Sequence, residues 1–228
     1  MNSRSSVLAR FSAIHLFLLG ACTVSAQEAP PAALRFVNAT GIEEPLLIVV
    51  NGDRLQSRGY SSGSATGRLH LPATPCRIEL SHTELGRHNF TLDLQAGVEH
   101  IVVAHTVAET GNGVHPLKFR LEHQVLNPSP GESTGKSRLQ LLQTTMQAHL
   151  ELRLAGTPLR LARLRPETLE LPSTNSEIGV YHGDLLLGRL PFSEPGHGTV
   201  ILFTDTAGHL HHVFFLEPGT AEESSDRR

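Results

Sequence analysis

The chain repeats itself. LRFVNAT at 34–40 returns as LQLLQTT at 139–145, LLIVVNGDRL at 46–55 as LELRLAGTPL at 150–159, and RLHLP at 68–72 as TLELP at 168–172. Leu85-Gly86-Arg87 with Phe90 returns as Leu187-Gly188-Arg189 with Phe192, and HIVVAH at 100–105 as VILFTD at 200–205. The blocks keep one order, with offsets between 100 and 105. Collinear self-similarity of this kind marks a duplicated structural unit. Whatever one set of blocks encodes, the chain must build twice.

Each block reads as a strand. Phe90, Leu92 and Leu94 alternate with Thr91 and Asp93; Leu117, Phe119 and Leu121 alternate with Lys118, Arg120 and Glu122; Leu150, Leu152 and Leu154 alternate with Glu151 and Arg153. Period two with charge on the opposite face describes half-buried antiparallel strands. Asn51-Gly52 after LLIVV is a hairpin-turn dipeptide, because both of its residues tolerate positive φ. Residues 139–150 are ambiguous, since Leu139, Leu142, Met146 and Leu150 also fit a helical stripe. The match to 34–40 decides for a strand over 139–145. About seven short strands per unit, with regularly spaced turns, predict an all-β chain of two tandem immunoglobulin-like antiparallel β-sandwich domains. Their expected extents are 31–126 and 138–218, joined by a linker at 127–137 and followed by a polar disordered tail at 219–228.

The linker carries GESTGKS at 131–137, close to a phosphate-binding loop. That loop needs a glycine where Pro130 stands, and a buried strand where VLNPSP stands. Proline fixes φ and removes a backbone donor, so a polar linker is expected and no nucleotide site.

The ends set the compartment. Arg4 and Arg10 precede an apolar run from Phe11 to Ala21, and Val24-Ser25-Ala26 offers a small-residue cleavage site. Residues 1–26 therefore read as a secretory signal peptide, too short to span a bilayer. Leu19-Gly20-Ala21-Cys22 also resembles a lipobox, so lipidation of Cys22 stands as the alternative to cleavage after Ala26. An extracytoplasmic location is expected either way. Membrane association is expected only if Cys22 carries lipid, because nothing in the mature chain is long and apolar enough to span. Cys76 then has no intramolecular partner, and its alternation in CRIEL predicts a buried thiol.

Loss of residues 1–26 removes two arginines and no acid, leaving 17 basic residues (19 less 2) against 22 acidic ones. A mildly acidic chain without basic clusters does not suit nucleic acid. With no Trp and two Tyr, Tyr60 and Tyr181, it also lacks flat platforms for stacking on sugars.

Chemistry is sparse. His209, His211 and His212 form the densest group; on a strand His209 and His211 share a face, and His197 or Asp205 would have to complete a metal site. Solvated turn residues explain these histidines better, in a chain that has 14 of them. There is no G-x-S-x-G elbow and no H-E-x-x-H pair. Ser61 to Ser64 reads as a flexible turn, and Glu43 and Glu44 as loop carboxylates. Arg87 and Arg189 read as water-facing members of a packing element.

RFVNA, then IVVNGDRL, then LHLP resembles bacterial exported β-sandwich modules of unknown function. LPATPCRIELSHTELGRHNFTLDLQAGVE resembles the small sandwich modules called PEGA, with Gly97 at the second conserved turn and Thr74 where the first would have glycine. The resemblance covers most of the first unit and fades in the second. It implies an extracytoplasmic accessory module, often repeated, that spaces or binds, and it points to no catalytic residue; no cofactor is expected. The expectation is a non-catalytic envelope or extracellular protein acting by contact, with an envelope protein as its partner. A small-ligand or metal-binding protein using the C-terminal histidines is the alternative, and an enzyme with a polar cleft between the units is the third reading.

Overall fold

A computed structural model of the chain describes residues 29–109, 118–128, 137–154, 157–171, 176–192 and 197–217. All regular structure among them is β. The first unit contains β1 (Ala32–Asn38), β2 (Leu47–Val50), β3 (Asp53–Arg54), β4 (Leu69–Leu71), β5 (Pro75–His82), β6 (Gly86–Asp93), β7 (Glu99–Glu109) and β8 (Lys118–Leu126). The second contains β9 (Ser137–Gln143), β10 (His149–Leu154), β11 (Thr157–Ala162), β12 (Glu167–Leu171), β13 (Ser176–His182), β14 (Leu185–Phe192), β15 (His197–Thr204) and β16 (Leu210–Glu217). The ambiguous segment at 139–150 thus begins as a strand. GESTGK at 131–136, Cys22 and the tail from 218 lie outside the described residues.

The strands form four four-stranded sheets, two per unit: β3-β2-β5-β6 and β4-β1-β7-β8, then β11-β10-β13-β14 and β12-β9-β15-β16. The chain is therefore two tandem β-sandwiches of like topology. Among the described residues each has eight strands, against the roughly seven that the sequence pattern predicts. One pair in each unit is parallel, β1 with β7 and β9 with β15. The β2–β3 hairpin turns at Asn51 and Gly52 with φ of 51° and 95°, the positive-φ turn that this dipeptide favours.

Each sandwich closes over its own core. Leu34, Phe36, Ile48, Ile78 and Leu80 fill the first; Leu139, Leu141, Leu150, Leu152 and Ile178 fill the second. Each such side chain contributes about 1.5–3 kcal/mol by leaving water. A third core lies between the units. Val37, Ile101, Val103 and Leu126 of the first pack against Leu142, Ile201, Phe203 and Val213 of the second. The strands β7 and β15 are thus buried on both faces, and the chain stacks as four layers. This is why IVVA at 101–104 and VILF at 200–203 run unbroken instead of alternating.

Two of the internal matches are out of register by two residues. Leu34 pairs with His100 and its counterpart Leu139 with Gly198, so Val102 corresponds to Val200 and Val103 to Ile201. The match of HIVVAH with VILFTD therefore slips. The Leu-Gly-Arg match slips as well: Leu80 faces His88 and Val180 faces Gly188, so Gly188 is the counterpart of His88, not of Gly86. Three residues join His82 to Gly86, whereas two join His182 to Leu185, and a bulge at Val180 and Tyr181 takes up the remainder. A two-residue slip keeps every side chain on its face, so the hydrophobic pattern cannot reveal it.

Candidate functional site

The C-terminal histidines gather on a turn. Asp205 follows β15, and its Oδ1 accepts hydrogen bonds from the backbone N–H of Ala207 (2.9 Å) and His209 (2.8 Å). Its Oδ2 lies 3.2 Å from His209 Nδ1 and 3.0 Å from His211 Nε2. The His211 hydrogen bond, aided by the backbone and side chain of His209 and opposed by burial, holds the Asp205 carboxyl well below the usual carboxylate range. His197 does not join them. It pairs with Glu217 at the far end of the same hairpin, while His211 pairs with Phe203. Six residues of strand, about 20 Å, separate the two places. Asp205 with His209 and His211 is a solvated, turn-closing set, both imidazoles sharing one carboxylate oxygen.

A second cluster has no counterpart in the sequence reading. His88 Nε2 on β6 lies 2.7 Å from His123 Nδ1 on β8 and 3.7 Å from Glu122 Oε2. Among the described residues, these three make the one group of potential metal ligands whose donor atoms all lie within 4.8 Å of one another. Phe90 stacks on His123 with ring centroids 3.6 Å apart. Arg120 reaches Glu122 Oε1 at 3.1 Å. Burial, then the neighbouring His88, lower the pKa of His123, and Glu122 opposes them. Strand parity held part of this signal: His88 shares the inward parity of Phe90 and Leu92, and His123 that of Leu121 and Val125. What the sequence could not give is that β6 and β8, from different sheets, meet at one edge of the sandwich.

A cavity of about 300 Å³ opens at the junction of the units, lined by Thr40, Gly41, Phe119, Thr144, Met146 and Asp205 among others. Phe119 and Met146 are exposed at it. Asp205 is the one titratable group among its described lining residues, so the lining offers hydroxyls and apolar surface in place of an acid–base pair.

The remaining candidates have local roles. Ser64 Oγ donates to the Ser61 carbonyl, and Ser62 Oγ accepts from the Gly41 N–H. Cys76 is buried and free, and burial raises its pKa. Asn38, the first residue of an N-x-T sequence, is buried and holds the Tyr60 carbonyl. Arg87 lies 3.8 Å from Glu79, and Arg189 lies 2.9 Å from Glu177. No protein-family model matches the chain, and no curated protein matches it.

Proposed function

We propose that the chain is an extracytoplasmic, non-catalytic protein that acts by contact, as a structural, adhesion or assembly module of the cell envelope or its exterior. The observation that carries this reading is the edge strand β14. Among the described residues it borders its sheet on one side only, and it begins with Leu185 and Leu186, 63% and 39% exposed. A free edge offers unpaired N–H and C=O groups to an incoming strand, and exposed leucines add apolar area beside them. The N-terminal signal pattern and the resemblance to exported sandwich modules support the same reading, with an envelope protein as the partner.

The test is capture of partners by the tagged protein from its own host's envelope fraction, with and without Leu185→Lys and Leu186→Lys. The expected result is a reproducible protein partner held by the wild type and lost by the double variant. A bait that returns alone, or a partner indifferent to both substitutions, counts against it. The N-terminal peptide of the bait also decides between cleavage after Ala26 and lipid on Cys22.

A further inference from the structure

Zinc sites are built from imidazole and carboxylate donors, with Zn–N near 2.0–2.1 Å and tetrahedral angles. That geometry places neighbouring donor atoms about 3.3 Å apart. The His88–His123 and His88–Glu122 separations of 2.7 and 3.7 Å bracket this value. The donors come from β6 and β8, strands of opposite sheets, so they surround a point from two sides. Two neighbours fix the donors. Arg120 engages Glu122 Oε1 and leaves Oε2 toward His88, and Phe90 stacks on the His123 ring. Outer contacts of this kind orient metal ligands.

We propose that His88, Glu122 and His123 form a three-ligand site for a divalent transition-metal ion, zinc foremost, which ties the outer sheet of the first sandwich to its inner sheet. His88 and Glu122 keep about a fifth to a quarter of their side-chain surface exposed, which gives an ion a way in and water a fourth position. The second unit serves as an internal control. Ala104 faces His123 as Leu202 faces His212, so the counterparts of His88, Glu122 and His123 are Gly188, His211 and His212. The duplicate lacks the residue that bridges the sheets. The inference is independent of the contact role assigned to β14.

The purified protein, stripped with a chelator, is titrated with zinc by calorimetry and with cobalt by visible absorption. The expected result is one ion per chain, cobalt bands of four-coordinate intensity, and a melting temperature raised by zinc. Glu122→Gln and His88→Gln each weaken binding by more than about tenfold, whereas His209→Ala with His211→Ala leaves it unchanged. Cobalt binding by the wild type needs no variant, so the test survives a His88 variant that fails to fold. The proposal is overturned by the absence of stoichiometric binding, or by binding that persists in Glu122→Gln and disappears with the His209 and His211 substitutions.

Discussion

Asn38 and Gln143 hold the same place in the two halves, and each accepts a hydrogen bond from the threonine two residues on. Thr40 Oγ1 lies 2.7 Å from Asn38 Oδ1, and Thr145 Oγ1 lies 2.6 Å from Gln143 Oε1. Both amides are buried, and each donates its NH₂ to backbone carbonyls, of Tyr60 for Asn38 and of Gln147 and Leu161 for Gln143. A buried amide left unpaired costs about 1–3 kcal/mol, and the threonine hydroxyl supplies a donor to the amide oxygen in both halves, joined at Asn38 by the Thr40 backbone N–H at 3.1 Å. The repeat in the sequence is thus a repeat of contacts. In both halves the amide ends the strand that lies between a sandwich core and the interface of the units.

Gly41 packs tightly against the second unit across that interface. Its φ is +74°, and a methyl group added there would stand 1.9 Å from the Thr204 carbonyl oxygen. Gly41→Ala therefore loosens the junction and lowers stability by more than the ~1–2 kcal/mol of left-handed strain. Gly52→Ala, with φ +95° and open space around it, has only that strain to bear. Urea unfolding of the two variants side by side checks the difference.

His105 makes the fold acid-sensitive. Burial chiefly, with Arg163 and His123 adding to it and the Thr106 carbonyl and Glu122 opposing, lowers its pKa to about 4. The unfolded chain takes up this proton near pH 6.5 and the folded chain only near 4, so below 6.5 the unfolded state holds more protons. The contribution is complete above about pH 6.5 and declines as pH falls toward 4, by about 3 kcal/mol in all. Denaturant unfolding at pH 7 and pH 4.5 should show the loss, and His105→Gln should reduce it.

Proteolysis within residues 127–137 should leave two resistant pieces that still travel together. The third core and the Arg163 Nη2 hydrogen bond to the Thr106 carbonyl, 2.9 Å, join the units without the linker. Native gel filtration of the nicked protein should give one peak, and denaturing electrophoresis two bands. Pieces that separate natively would mean that the interface does not hold.

The two-unit β architecture was legible because duplication and period two are local signals. The hairpin at Asn51-Gly52 and the burial of Cys76 were legible for the same reason. The stacking of the units is not legible in the sequence, although IVVA and VILF carry its mark, because an unbroken apolar run also suits a strand inside one sandwich. Repeat register failed at Gly188 and at Val200, where a slip of two leaves the pattern unchanged. Strand parity puts His209 and His211 on one face, and both reach Asp205; chain proximity suggests His197 beside them, but antiparallel pairing sends it to the other end of the hairpin. His88 and His123 are 35 residues apart, and only the meeting of two sheets brings them together.

The stacked arrangement is tested most directly by thiol labelling. Ile201 is 0% exposed only because the first unit covers it, whereas Cys76, 1% exposed, lies in a core of the first sandwich alone. The thiol introduced by Ile201→Cys is followed beside Cys76 by peptide-resolved mass spectrometry under native conditions. A stacked body predicts that both react slowly and at comparable rates, each requiring unfolding. Rapid labelling at position 201 while Cys76 stays protected would contradict it, and would mean that the two sandwiches move apart.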